Sequence, residues 1–412
     1  MQRRRDTGPD RGRSPLAWAA TAVVVALAAG AVVAAVDWRP RGDATGSAGA
    51  ARSAGASGSA GASGPASEES AEMRIVEIEV RDFEVAGPAE GRDPGSPNRV
   101  GSAAVPVRSY APAGEPWATL VWAHGGSFVR GTLDWPEADW VSRRFADAGM
   151  LVYSVDYALA SDEVKAPAPA DDLAAVVRWA VAGTDGPVVV GGASAGAHLA
   201  VLAALTQAEL AATGAGTTAG AGIAGAGSAG DAGAAGGAGA AGGAGAAGGA
   251  GAAGSPGHAG SVVRPADALI LEYPTLHRVQ RPDPAIAAAT SALAEQRRFD
   301  TARIAEMYDF YLGGSAGAAA GAVVAGELPP ERLAALPPTV IVNADADDLR
   351  ASGEEFAEQL RAAGVPVTES VQAGTVHGYL NRPEESDRSR ADARETIDRF
   401  VRELRAIIVP AG

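Results

Sequence analysis

Cysteine is absent from the 412-residue chain and lysine occurs once, at Lys165. The first absence excludes a disulfide scaffold, a thiolate zinc site, a cysteine nucleophile and a lipid-modified N-terminal cysteine. The second confines lysine Schiff-base chemistry to one position. Net positive charge is lacking too: the formal charge is −15. That argues against nucleic acid as a partner, because phosphate contacts need clustered Lys and Arg. Histidines number only five, so the search for a catalytic base is close to elimination.

What is present is an apolar, Gly-rich chain with a segmented layout. Residues 1–15 carry Arg3, Arg4, Arg5, Arg11 and Arg13, and residues 16–36 hold no charge. At about 1.5 Å per residue, that run reaches the thickness of a bilayer's hydrocarbon core. The preceding basic residues orient the N-terminus toward the cytoplasm. The segment reads as a transmembrane anchor. A signal sequence cleaved near Ala29-Gly30-Ala31 is the alternative, and either leaves the bulk of the chain outside the cytoplasm. Residues 37–71 are Ala/Gly/Ser-rich and read as a disordered linker. A second biased tract, 214–260, reads as a disordered Gly/Ala-rich insertion within a domain spanning 72–412. No large apolar residue recurs in it to build a stacked core.

The remaining residues alternate strand and helix signals. Strands are predicted at 74–80, 105–110, 119–123, 150–155, 188–190, 268–271, 339–342 and 365–371. Helices are predicted at 171–181, 195–205, 354–363 and 391–407. Such alternation implies a mostly parallel central sheet with helices on both faces. Functional groups are then expected in loops at the carboxyl ends of the strands.

Gly192-Ala193-Ser194-Ala195-Gly196 follows one predicted strand and opens one predicted helix. Small residues there let the chain turn sharply and lift the serine hydroxyl above the sheet edge. Gly313-Gly314-Ser315-Ala316-Gly317 has the same spacing, but no strand precedes it and it reads as a chance match. A serine nucleophile needs a base and oxyanion donors. His124-Gly125-Gly126-Ser127-Phe128 follows another strand. Gly125 and Gly126 are its candidate amide donors, with Ala195, just after the serine, as the third. Of the histidines, His124 belongs to that loop, His198 sits one turn into a helix and His258 lies in the Gly/Ala tract. His277 is a rival, and His377, after the last strand and flanked by Gly374 and Gly378, is the candidate base. The orienting acid is sought after the 339–342 strand, where Asp345, Asp347 and Asp348 are available. They lack the ladder and terminal Glu of a calcium loop, so no metal is expected.

These motifs together resemble the hormone-sensitive-lipase-like branch of the α/β-hydrolase superfamily, the bacterial esterase/lipase group. The histidine-glycine loop is similar to that family's HGGGF motif, and 192–200 to its GDSAGGNLA segment. Tyr153 to Ala160 resembles VDYRLAPE, 336–350 resembles the LPP…DPLRD stretch, and Val376-His377-Gly378-Tyr379 resembles HGF. The register of Gly353 and Glu354 implies that the family's acid falls on Asp347. The departures are Ser127 for the third glycine, Ala193 for the acidic residue before the serine, and Ala351-Ser352 after the acid motif. The family's N-terminal cap helices have no clear counterpart, and a reduced cap built mainly from 275–326 is expected. The resemblance implies an extracytoplasmic serine carboxylesterase for small-molecule esters with short- to medium-chain acyl groups. Ser194, Asp347 and His377 would be the catalytic residues, with no cofactor. An amidase, peptidase or acyltransferase on the same residues, and a non-catalytic tethered binding domain, are the alternatives.

Overall fold

The computed structural model describes residues 78–88, 103–214, 263–314 and 322–409. The N-terminal segments at 1–15, 16–36 and 37–71, and the Gly/Ala tract beyond Gly214, lie outside the described residues.

Among the described residues, eight strands form one sheet: β1 (Glu79–Ala86), β2 (Ala104–Ala111), β3 (Ala118–Ala123), β4 (Met150–Val155), β5 (Val188–Ala193), β6 (Ala268–Glu272), β7 (Thr339–Ala346) and β8 (Val367–Val376). Their order is β1-β2-β4-β3-β5-β6-β7-β8. The β1–β2 and β2–β4 pairs are antiparallel, and every pair from β4 to β8 is parallel. The helices are α1 (Asp139–Asp147), α2 (Ala168–Gly183), α3 (Ala195–Thr213), α4 (Pro284–Thr290), α5 (Thr301–Leu312), α6 (Pro330–Leu333), α7 (Arg350–Ala362) and α8 (Asp387–Ile408).

The central strands are apolar on both faces, and the period of two sorts their side chains into two cores. Val121, Val190, Leu269, Leu271 and Ile341 point to one face, where Leu173 and Val177 of α2, Leu199 of α3 and Phe356 of α7 cover them. Leu120, Trp122, Val189, Ile270, Val340 and Val342 point to the other, against Val141 and Phe145 of α1 and Phe400 and Leu404 of α8. Helix α8 illustrates the pattern from sequence. Its buried Ala393, Ile397, Phe400 and Leu404 recur at helical spacing, and Ser386 caps its first turn by accepting from the Ser389 N–H. Helix α3 is buried from Ala195 to Leu205 and again at Gln207 and Ala208. By length and apolarity alone it is long enough to cross a membrane, yet 72% of its most apolar window is buried in the protein.

Helices α4 and α5 lie between β6 and β7, within the segment expected to form a cap. Both have aspartate N-caps, Asp283 and Asp300. Of the edge strand expected at 74–80, residues 74–77 lie outside the described residues, and the described strand pairs with β2 from Glu79 opposite Ala111 to Ala86 opposite Ala104. Strand β8 runs past the predicted 365–371 to Val376. A register shift between Ala344 and Ala346 keeps it paired with β7 to that point, and it therefore delivers its C-terminus directly to His377.

Candidate active site

The C-terminal ends of β3, β5, β6, β7 and β8 converge on one site. Ser194 sits between β5 and α3 with φ +53° and ψ −117°, a left-handed conformation that costs energy for a residue with a Cβ. Surrounding contacts enforce it. The Ser194 N–H donates to the Glu272 carbonyl at 2.9 Å, and its own carbonyl accepts from the Ala197 N–H at 3.1 Å. The flanking glycines permit the turn. A Cβ on Gly196 would lie 2.2 Å from the Ala123 carbonyl oxygen, and one on Gly192 would lie 2.5 Å from Gly196. Helix α3 thus starts directly against the end of β3.

Ser194 Oγ lies 3.0 Å from His377 Nε2. The other ring nitrogen, Nδ1, lies 2.7 Å from Asp347 Oδ2. Asp347 is buried, and its Oδ1 accepts from the Leu349 N–H at 3.0 Å. The three side chains form one continuous hydrogen-bonded chain. The imidazole is packed edge-on by Tyr273 at 4.9 Å and by Phe299 at 4.6 Å between ring centroids. The Arg382 guanidinium donates to the His377 carbonyl at 2.6 Å.

The other candidates go elsewhere. Asp345 accepts from the Gly374 N–H at 2.8 Å and faces Arg350. Asp348 accepts from Thr290 Oγ1 at 2.6 Å and from the Phe299 N–H at 2.8 Å. The His277 Nδ1 lies 2.9 Å from Ser352 Oγ, and burial lowers its pKa. His198 is fully buried among Phe128, Tyr308 and Tyr311, and burial pulls its pKa down to about 3. His124 stacks on Tyr157 at 4.7 Å, and the Tyr157 hydroxyl donates to the His124 carbonyl at 2.7 Å, so both residues hold the loop that follows β3. His258 and Ser315 lie outside the described residues. Among the described residues, no group of three His, Asp or Glu side chains is arranged to hold a metal ion.

The glycine loop requires one correction. Gly125 was expected to offer its amide as an oxyanion donor, but that N–H is engaged at 2.5 Å by the buried carboxylate of Glu137. That hydrogen bond occupies the donor, so this amide is committed. The Gly126, Ser127 and Ala195 N–H groups have no hydrogen-bond acceptor among the described residues. For Ala195 this follows from its place in the first turn of α3. Gly126 has φ +120°, and a Cβ there would lie 1.9 Å from the Arg130 carbonyl oxygen, so only glycine fits. Ser127 follows at φ +56°. Sequence reasoning missed Glu137, Tyr273 and Phe299. Tyr273 could have been suspected from its place just after β6, whereas Glu137 and Phe299 carry no local motif.

Known proteins share this arrangement of elements. An alpha/beta hydrolase fold family (Abhydrolase_3) matches residues 120–381. The carboxylic ester hydrolase LipN of Mycobacterium tuberculosis is 33% identical over 136 residues, and the match spans 31% of this chain and 32% of that protein. Carboxyl esterase 2 of the fungus Tuber melanosporum superposes with a TM-score of 0.54 at 18% identity, over 82% of this chain and 89% of the other. Esterase LipW of Mycobacterium marinum does so with a TM-score of 0.52 at 24% identity, over 81% and 83%. At these identities the superpositions establish the fold. The family match extends over more than half of the sequence, so the chain belongs to the α/β-hydrolase superfamily, in the family of hormone-sensitive-lipase-like esterases.

Proposed function

We infer that the chain is a serine carboxylesterase acting on small-molecule esters. The observation that carries this reading is the unbroken hydrogen-bond chain from Ser194 Oγ through His377 to the buried Asp347. In this reading Ser194 attacks the ester carbonyl as His377 Nε2 takes its proton. The oxyanion is held by the amides of Gly126 and Ala195, with Ser127 the next unengaged amide on the loop. The tetrahedral species collapses, and the imidazolium gives its proton to the leaving alcohol. Water, activated by the same imidazole, then hydrolyses the acyl-enzyme. Asp347 holds the tautomer in which Nδ1 carries hydrogen and stabilises the imidazolium. The ester hydrolase and esterase names of the matched proteins support the reaction class. We read residues 16–36 as a membrane anchor on sequence grounds, with the catalytic domain outside the cytoplasm.

The test is hydrolysis of p-nitrophenyl esters of graded chain length by the full-length protein, beside Ser194→Ala and His377→Ala. Turnover greatest on short- to medium-chain esters, falling by about 10⁴-fold or more in either variant, is expected. Folded parent protein without Ser194-dependent turnover on any ester would overturn the reading. Faster turnover of matched amides than of esters would move it to the amidase class.

A further inference from the structure

Glu137 lies in the connection between the glycine loop and α1, and no sequence motif marks it. It is 1% exposed, and its four hydrogen-bond partners are all neutral. Oε2 accepts the Gly125 N–H at 2.5 Å, and Oε1 accepts the Tyr273 hydroxyl. Its own N–H donates to Asn381 Oδ1 at 3.1 Å, and its carbonyl accepts the Trp122 indole N–H at 2.8 Å. A buried carboxylate satisfied only by neutral groups is a poor way to gain stability, since an apolar residue of similar volume often serves as well. What it supplies is direction: each oxygen fixes a particular donor.

Its partners belong to the loops that build the site. Gly125 opens the glycine loop and sits against the nucleophile, so closely that a Cβ on it would lie 3.0 Å from Ser194 Cβ. Tyr273 follows β6, and its ring packs against the His377 imidazole. Asn381 belongs to the turn directly after His377. Burial and the neighbouring Glu137 carboxylate push the Tyr273 hydroxyl well above its usual pKa, so it stays protonated and remains the donor.

We propose that Glu137 is the positioning residue of the site. Its carboxylate clamps the glycine loop through Gly125 and links that loop, through Tyr273, to the base, while its backbone N–H ties the same connection to Asn381. The clamp commits the Gly125 amide and thereby sets the next two amides, those of Gly126 and Ser127, as the loop's oxyanion donors. The catalytic consequence rests on the esterase reading, whereas the clamp itself does not.

The test compares Glu137→Leu, Glu137→Gln and Tyr273→Phe in the full-length chain. Two readouts are taken: steady-state hydrolysis of p-nitrophenyl butyrate, and hydrogen exchange of the peptide containing residues 124–131. Donors that act in the transition state change kcat rather than KM. Glu137→Leu is expected to lower kcat about 100-fold with KM within about threefold, the size of losing one oxyanion donor. It should also speed exchange in the loop peptide. Glu137→Gln keeps an oxygen for the Gly125 N–H, so it should hold kcat within about tenfold and keep the loop protected. Tyr273→Phe, which removes one of the two side-chain anchors, is expected to lower kcat by about threefold to tenfold. Unchanged loop exchange in Glu137→Leu would overturn the clamp whatever the activity. Equal losses in the Gln and Leu variants, or a loss confined to KM, would overturn the positioning role and leave the esterase reading standing. Should Glu137→Leu fail to fold, unchanged kcat and loop exchange in Tyr273→Phe would overturn the proposal. Absence of parental turnover would count against the esterase reading, and loop exchange would then decide the clamp alone.

Discussion

Asp347 and Asp348 are adjacent in sequence and serve opposite sides of the site. Asp347 turns inward and meets His377 Nδ1 at 2.7 Å. Asp348 turns toward the segment between β6 and β7, where it holds Thr290 at the end of α4 and the backbone N–H of Phe299. Replacing the first should change the chemistry, and replacing the second should change what the site admits. Asp347→Asn keeps the shape of the side chain but offers an amide N–H where the imidazole N–H needs an acceptor, which favours the wrong tautomer. A fall in kcat of about 10⁴-fold is expected. Asp348→Ala should leave kcat within about tenfold and raise KM. Steady-state kinetics on one p-nitrophenyl ester series separates the two.

Phe299 is the residue through which the cap segment reaches His377. Its ring packs edge-on against the imidazole, the Arg303 guanidinium lies 4.5 Å from its centroid, and Asp348 holds its N–H. Truncation removes a wall of the site without touching the hydrogen-bonded chain. Phe299→Ala is expected to raise KM for butyrate esters about fivefold to tenfold, in line with the loss of an aromatic contact of about 1 kcal/mol. The effect on acetate esters should be smaller, because a shorter acyl group reaches less of the wall. Equal KM changes across the series would point to a general loosening of the loop.

Much of this architecture was legible in sequence because the signals were local. The triplet Val188-Val189-Val190 followed by small residues and an apolar helix allowed one reading, and the structure has β5, the turn at Ser194 and α3 there. His377 was singled out by the scarcity of histidine and its place after the last strand, and it is the histidine that lies beside Ser194. Two kinds of feature escaped. Helix α1 is short and rich in charge, and its burial rests on only a few side chains, among them Val141 and Phe145, so few apolar residues marked it. Glu137 and Phe299 owe their importance to partners far along the chain: Glu137 meets Tyr273 across 136 positions and Phe299 meets Asp348 across 49. No spacing rule encodes such a meeting. The fate of the Gly125 amide was hidden for the same reason, since a glycine in a loop does not announce its acceptor.

The closeness of α3 to β3 yields a stability prediction. Gly196 leaves no room for a methyl group, because its Cβ would fall 2.2 Å from the Ala123 carbonyl and 2.3 Å from that of His124. Both obstacles are backbone, one at the end of β3 and one at the start of the glycine loop. Gly196→Ala must therefore push α3 and β3 apart. A destabilisation of about 1–3 kcal/mol or more is expected, together with loss of activity as the loop shifts away from Ser194. Gly364→Ala is the contrasting control: among the described residues nothing lies within 4 Å of a Cβ there, and only its left-handed φ of +79° is strained. Chemical denaturation of the two variants should rank Gly196→Ala well below Gly364→Ala.

His198 gives the protein a pH-dependent stability of known sign. Burial lowers its pKa from 6.5 to about 3, so the folded protein keeps it neutral where the unfolded chain would protonate it. Above pH 6.5 neither state binds the extra proton and the group costs nothing. Between pH 6.5 and about 3 the unfolded state binds more protons. Stability therefore falls as pH falls, by up to about 1.4 kcal/mol per pH unit from this one group. Below about 3 both states are protonated and the loss levels off. His198→Asn removes the titrating group while keeping a polar partner for the Tyr308 hydroxyl, which lies 3.1 Å from the ring. Its urea midpoint should sit below that of the parent at pH 7.5, because a smaller side chain leaves a gap beside Phe128 and Tyr311. It should then decline less steeply between pH 6.5 and 4.5, so that the two curves converge. Parallel curves would mean that other groups carry the acid sensitivity and that His198 opens to solvent before it is protonated.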